Sequence, residues 1–366
     1  MNHDTQTPTH EPALPNRWYG VFPTARLGRR PAAIRRFGLP LVLYRRADGQ
    51  AVAMLDRCPH RGAALSRGRV RGDEIECPYH AFRFDPAGQC TAMPCEGPAA
   101  RIPAGMQVPA FTVREAHGLV WLWWGAAPEL LGLSELPPLP WLDEIPVGPG
   151  VSRGEIDIEW PVSLHRAVEA NFDAHHAAII HSFGVPRLGR LTQLDVLSCE
   201  VVADAIHMHT LTRDPRDPST TFRVNLHTRL PGVSLVELGD LYKIVLIDAP
   251  IDDHTTWRFM IHTRTGLGGG RLGDLLMAGL QRLDYLVTQR SQDLPAVRSQ
   301  TLPVPGVFRD KLVRADAGIA QYIHLRRKHL RDEHHRRHLL PAHIRWASGW
   351  TEPAGPATLA APSPDA

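Results

Sequence analysis

The sequence predicts an N-terminal all-β domain followed by an α+β domain in which helices flank an antiparallel sheet. Three observations carry this expectation. From Trp18 to about Gly125, short β-rich runs alternate with Gly, Pro and Asp turns; residues 126–149 are proline-rich and aperiodic; beyond them come a helical stretch, a series of alternating segments and finally more helices. Strands followed by helices, without strict alternation, favour an α+β layer architecture over a parallel sheet. At 366 residues the chain is long enough for two domains with real cores.

Taken in order, residues 1–15 are polar and expected to be disordered. The runs PLVLYRR, AVAMLDR, EIECPYH, FRFDPAG and HGLVWLWWG build the first domain, 16–125. The stretch AAPELLGLSELPPLPWLDEIPVGP at 126–149 reads as a linker lying over a surface. The second domain, 150–349, opens with a helix at about 161–181 and continues with AIHMHTLTR, FRVNLHTRL, YKIVLIDA and TTWRFMIHTR as strands, then helices from about 272 onward. The tail, 350–366, is expected to be disordered. No internal repeat is visible.

A formal charge of +3, from forty-one basic and thirty-eight acidic residues, gives no electrostatic case for nucleic acid or a membrane as partner. Residues 1–15 lack the apolar stretch of a signal peptide, and no run approaches a membrane span, so a cytoplasmic protein is expected. Five cysteines are too few and too unevenly placed for a disulfide framework. In a reducing compartment, paired thiolates read better as metal ligands.

The segments CPHRG (58–62) and CPYH (77–80) supply Cys58, His60, Cys77 and His80, one thiolate and one imidazole from each. Two soft thiolates can hold one iron and two neutral imidazoles the other, which describes a Rieske [2Fe-2S] centre. A structural Cys2His2 zinc site is the competing reading. Zinc fingers pair like with like, whereas each loop here mixes the two ligand types. Cys90 and Cys95 (C-x4-C) have no partnering pair nearby and, with Cys199, receive no role.

CPHRGAALSRG, CPYHAFRFDPAGQC and HGLVWLWWG resemble the Rieske domain of the Rieske non-haem iron oxygenases over about residues 16–125. Ala81–Phe82 departs from the Gly–Trp common in that family after the second histidine. Respiratory-chain Rieske proteins are a poorer match, because their cluster loops each carry an extra cysteine.

The resemblance implies a second domain of the helix-grip type with a mononuclear Fe(2+) held by two histidines and a carboxylate, in the pattern D-x-x-H-x4-H. DAHHAAIIH (173–181) fits it with His176 and His181 as ligands and Asp173 as the catalytic bridge toward the cluster of a neighbouring subunit. On an ideal helix His176 and His181 lie ~140° apart, so the helix must end or bulge between them. Gly184 and Pro186 stand ready as stop signals, and His175 points elsewhere. Counting back by helical steps places Asp173, Phe172, Glu169 and His165 on one face. His165 and Glu169 read equally well as pocket residues near the metal or as solvated positions, and Asn171 is left without a role. Among Asp284, Asp293, Asp310 and Asp316, the segment SQDLPAVRSQ resembles the family's late acidic ligand and selects Asp293. A helix cap before Leu294–Pro295 is the competing role for it.

The resemblance further implies a terminal oxygenase component, a homotrimer that uses O2 as co-substrate to hydroxylate, demethylate or otherwise oxidise a small organic molecule, aromatic or secondary-metabolite-like. Two alternatives stand beside it: an electron carrier or binding protein without a functional iron, and a chain with two structural zinc sites. G-x-G-x-x-G at Gly268, Gly270 and Gly273 lacks a following strand, so nicotinamide binding is not expected there. Electrons are therefore expected from a separate NAD(P)H-dependent reductase or ferredoxin. The basic run 326–338 reads as a solvated helix face.

Overall fold

The computed structural model describes residues 13–146, 148, 150–181, 188–240, 242–265, 270–300 and 310–348. Most of the N-terminal segment 1–15, Gly184, Pro186, Gly268 and the tail 350–366 lie outside these residues.

Eleven strands make the first domain: β1 (Arg17–Pro23), β2 (Ala32–Arg36), β3 (Leu39–Arg45), β4 (Ala51–Leu55), β5 (Arg69–Arg71), β6 (Glu74–Glu76), β7 (Arg83–Phe84), β8 (Cys90–Ala92), β9 (Ala110–Phe111), β10 (Val113–Ala116) and β11 (Leu119–Trp124). They form antiparallel sheets in the orders β1-β11-β10, β2-β3-β4-β9 and β5-β6-β7-β8. LVWLWW in β11 is buried along its whole length because it is the central strand of its sheet and is covered on both faces, which is why it shows no alternation. Phe37 and Gly38, both at positive φ, form the two-residue turn that joins β2 to β3. The Phe37 ring stacks 4.0 Å from that of Trp124, which offsets the strain of a left-handed aromatic residue.

The second domain is built on one seven-stranded antiparallel sheet, in the order β12-β18-β17-β16-β15-β14-β13. Its strands are β12 (Val151–Trp160), β13 (Gln193–Val202), β14 (Ala205–Asp214), β15 (Asp217–Arg229), β16 (Val233–Leu238), β17 (Tyr242–Pro250) and β18 (Thr256–Thr265). Helices α1 (Leu164–Asn171) and α2 (Ala177–Ile180) follow β12, and α3 (Gly270–Asp284) follows β18. A π-helix at Tyr285–Asp293 links α3 to α4 (Leu294–Ser299); α5 (Ala317–His334) and α6 (Ala342–Ala347) close the domain. β18 lies between β12 and β17 and is antiparallel to both, so Gly270 and Gly273 open a helix outside any βαβ unit.

The helix expected over 161–181 is two pieces. α1 starts at Ser163, whose hydroxyl caps Arg166 N, and ends at Asn171; α2 begins only at Ala177. Asp173 therefore leaves the helix that carries His165 and Glu169, and the single polar face expected for these residues is not formed. The break comes from Asp173 itself: its Oδ1 accepts the backbone N–H groups of His175 (2.9 Å) and His176 (3.0 Å), the local side-chain competition that ends helices.

Close approaches position the layers. A Cβ on Gly154 in β12 would sit 2.8 Å from the α3 backbone at Met277 and Ala278, and one on Gly20 in β1 would sit 2.8 Å from Ile247 in β17. The second contact joins the two domains, and a continuous core runs from Trp18, Trp121 and Trp124 to Ile247, Trp257 and Phe259. Leu136, Leu142 and Ile145 of the proline-rich segment are buried in the same core. On the opposite face of the sheet, α1 and α4 cover Ile158, Trp160, Leu246 and Met260.

Arg258, in mid-β18, is buried with Asp248 of β17: Nε donates to Oδ1 at 2.7 Å and Nη2 to Oδ2 at 2.9 Å. The same guanidinium reaches Ala167 O (2.8 Å) and Asn171 Oδ1 (2.9 Å). Asn171 in turn donates to Ser234 Oγ at 3.0 Å. This network fastens the end of α1 to the sheet, and gives Asn171 a structural place. In α5 the basic run is not wholly solvated: Arg326 is buried 3.2 Å from His165 Nε2, and Glu333 is buried as the acceptor of Asn16 Nδ2 at 2.6 Å.

Candidate metal centres

Two loops of the first domain repeat one geometry. Cys58 N donates to Ala63 O and Gly62 N to Cys58 O, at 2.8 and 2.9 Å; Cys77 N donates to Phe82 O and Ala81 N to Cys77 O, at 2.8 and 3.1 Å. Gly62 (φ 76°) and Ala81 (φ 57°) hold equivalent left-handed positions. Each turn buries its cysteine and carries its histidine two or three residues on, toward the surface. The His60 and His80 rings lie 4.7 Å apart, and Phe82 stacks on His60 at 4.9 Å. Burial pushes the Cys58 thiol up to about 11, with the Cys77 thiol beside it adding to the effect. A buried pair of thiolates is unfavourable without cations, and bound iron would supply the compensating charge.

In the second domain His176, His181 and Asp293 come together with one donor atom of each within 4.8 Å of the others. Both Nε2 atoms face Asp293 Oδ1, His176 at 3.6 Å and His181 at 3.3 Å. Donors about 2.0–2.2 Å from one metal stand roughly 3.0–3.5 Å apart, so this spacing suits a single ion. Asp293 Oδ1 is buried and accepts no hydrogen bond, and Asp293 makes no side-chain cap to α4. An orphaned buried carboxylate oxygen is costly unless a cation meets it.

Each imidazole is also held from behind. His181 Nδ1 donates to Gln292 Oε1 at 2.7 Å, and His176 Nδ1 lies 3.5 Å from Asp173 Oδ1. Partners of this kind turn the remaining nitrogen toward a metal. Burial pushes the Asp293 carboxyl above its ordinary value, and the Asp284 charge adds to this, while His176 and His181 oppose it. For His176, burial disfavours protonation, but Asp173 and Asp293 outweigh it and hold the imidazole above its usual range. Asp173 is held below the usual carboxylate range: its own burial opposes this, but contact with His176 prevails. The pocket favours added positive charge.

The π-helix delivers Asp293. Pro295 lacks an N–H and its ring displaces the carbonyl four residues earlier, which favours a wider turn ahead of it; the Leu294 N–H reaches back five residues to Gln289 O. His175 stays outside the group, exposed, with Nε2 3.1 Å from Thr192 O. Of the other carboxylates, Asp310 pairs with Arg166 at 2.8 Å and Asp316 caps Val313 N, while Asp284 lies 3.7 Å from the buried His262. Glu169 pairs with Arg166; Cys90 is buried and Cys95 exposed.

Gln292 and the Arg258–Asp248 pair were not singled out from sequence. Gln292 stands next to Asp293 in SQDLP, and Arg258 is the lone charge within the apolar run TWRFMI, a position that calls for a buried partner.

Residues 17–111 match the family model described as the Rieske [2Fe-2S] domain. The chain is 34% identical over 175 residues to the aminopyrrolnitrin oxygenase of Pseudomonas fluorescens, covering 46% of each sequence. It is 42% identical over 110 residues to the oxygenase component of dicamba O-demethylase from Stenotrophomonas maltophilia, covering 30% of this chain and 32% of that one. These matches span less than half of either relative. The fold is similar to that of dicamba monooxygenase bound to dicamba, with a TM-score of 0.70 at 22% identity over 88% of this chain and 99% of the other.

Proposed function

From a chain that carries a Rieske [2Fe-2S] domain and is related to the oxygenase components of Rieske non-haem iron systems, we propose a terminal oxygenase acting on a small organic substrate. The observation that carries this reading is the convergence of His176 Nε2 and His181 Nε2 on Asp293 Oδ1, a buried oxygen with no hydrogen-bond partner. Cys58 and Cys77 would hold one iron of the cluster, His60 and His80 the other.

Two histidines and one carboxylate leave about half of an octahedral ion's positions open, and Fe(2+) held there would supply the activation of O2, with the electrons for it arriving through the cluster. The protein's own part is positional. Gln292 and Asp173 fix the two imidazoles, the π-helix holds Asp293, and the Arg258 network keeps α1 against the sheet so that the break at Asp173 stays in register. His60 lies at the surface of the first domain, and Asp173 is itself partly exposed. These surfaces support electron passage between neighbouring subunits of a homotrimer, with Asp173 as the bridge and a separate NAD(P)H-dependent reductase or ferredoxin as source. The division into 16–125, 126–149 and 150–349 follows this assignment. None of the five cysteines is in a disulfide, which suits a cytoplasmic, reducing setting. No helix among the described residues is long and apolar enough to cross a membrane.

Iron and acid-labile sulfide analysis with electron paramagnetic resonance tests the reading. We expect about three irons and two sulfides per chain, and Asp293→Ala should keep the cluster spectrum while losing one iron and all turnover. About two irons in the wild type would favour an electron carrier. Zinc in place of iron, or unchanged turnover in Asp293→Ala, sinks the assignment.

A further inference from the structure

A second donor group lies on the other face of the sheet. His207 in β14 and His227 in β15 are directly opposite each other in the antiparallel register, so their side chains stand side by side. Their Nδ1 atoms are 2.9 Å apart, and Glu144 Oε1 of the proline-rich segment lies 3.4 Å from His207 Nδ1. One donor atom from each of the three falls within 4.8 Å of the others. We propose that Glu144, His207 and His227 form a binding site for a borderline divalent cation of the zinc class.

The same face supplies the support that such a site needs. His227 is buried, and its other nitrogen, Nε2, faces Glu237 Oε2 at 3.4 Å. A carboxylate behind an imidazole keeps the proton on that nitrogen, so Nδ1 accepts from His207 Nδ1 and can ligate once a cation takes the place of that shared proton. Glu237 is itself held by Asn225 Nδ2 at 2.9 Å and by the Lys243 ammonium. Lys243 also donates to Glu144 O at 3.2 Å, which brings the segment carrying the third donor to the sheet. The His209 ring packs edge-on against His227 at 5.4 Å and limits its rotation. Glu144 and Glu237 face Lys243 and Arg229, so the fixed charges around the two imidazoles balance and the carboxylate of Glu144 supplies the local attraction for a dication.

Two nitrogens and a carboxylate oxygen are the donor set of tetrahedral zinc with one position left for water. The 3.4 Å separation suits bond lengths of about 2.0–2.2 Å, and the two nitrogens, hydrogen-bonded to each other at 2.9 Å, would part by a few tenths of an ångström to hold the ion. The cation would cross-link the segment between the two domains to strands β14 and β15. This inference is independent of the iron reading, since it uses none of the residues His176, His181 or Asp293.

Zinc alone is the probe. The full chain, with its cluster and mononuclear site loaded, is titrated with Zn(2+) by calorimetry. We expect one zinc per chain, and His207→Gln and Glu144→Gln should each weaken it by about tenfold or more with iron content unchanged. Zinc binding should persist in His181→Ala, which separates this site from the proposed iron site. A wild-type chain that takes up no zinc, or one whose affinity is the same in both variants, overturns the proposal; the two exposed-side substitutions leave His227 and the fold in place.

Discussion

His181 Nδ1 donates to Gln292 Oε1 at 2.7 Å, across 111 residues of sequence. The contact ties the short helix α2 to the π-helix and sets the direction of the imidazole face that meets Asp293. Gln292→Ala should weaken iron binding about 10–100-fold, read by competition with a chelator, while the cluster spectrum stays as it is. Gln292→Glu keeps an acceptor and should retain most of the affinity. Equal iron affinity in Gln292→Ala would remove Gln292 from the site.

Ala81 sits at φ 57° where the matching turn has Gly62 at φ 76°. A left-handed Ala costs about 1–2 kcal/mol, and glycine gives back part of that through its larger unfolded-state entropy. Ala81→Gly should therefore stabilise the first domain by about 0.5–1 kcal/mol. Thermal denaturation followed at the cluster absorbance checks the sign, and a lower midpoint would show that the Ala81 methyl is wanted for packing.

Arg258 and Asp248 form an ion pair with almost no solvent contact. Arg258→Leu leaves a buried carboxylate without its partner and should cost about 3–5 kcal/mol in urea unfolding. The double variant Arg258→Leu/Asp248→Leu should recover much of that loss. Equal destabilisation of the single and double variants would count against charge as the cause.

Burial holds His343 down at about 4, from an ordinary value of 6.5, where its ring meets Phe111 edge-on at 5.1 Å. The unfolded chain takes up this proton below pH 6.5, while the folded chain resists until about pH 4. The His343 contribution is thus complete above pH 6.5 and lost as the pH falls toward 4. His343→Leu should flatten the pH dependence of stability across that window relative to the wild type. An unchanged slope would mean the ring reaches solvent.

Much of the fold was legible where burial writes a plain pattern. The runs at β3, β4, β11, β14, β15, β17 and β18 were recognisable from apolar content. β12 was not singled out although Glu155, Asp157 and Glu159 alternate with Ile156, Ile158 and Trp160, the period-2 pattern of a half-buried strand; three carboxylates in six residues lower its apolar content. The break after α1 was hidden for a different reason. It contains neither Gly nor Pro and depends on one carboxylate capturing two amides, which competes with a helix only once the downstream chain has turned. The grouping of His176, His181 and Asp293 was expected from sequence, the histidines from their spacing and Asp293 from the resemblance of its segment. Their supports at Gln292 and Arg258 were not, since each acts through a contact made far away in sequence.

The π-helix carries a consequence for insertions and deletions. Nine α-helical steps of about 100° would turn Asp293 roughly 180° away from Asp284, whereas the wider turns of a π-helix advance by a smaller angle per residue. The angle at which Asp293 leaves the helix therefore depends on the width of these turns as well as on the residue count. Loss of a single codon in 285–292 with the wide turns kept would turn the carboxylate by about a quarter-revolution against the histidine pair. The place of Asp293 beside the two histidines is specified by residue count as much as by side-chain identity.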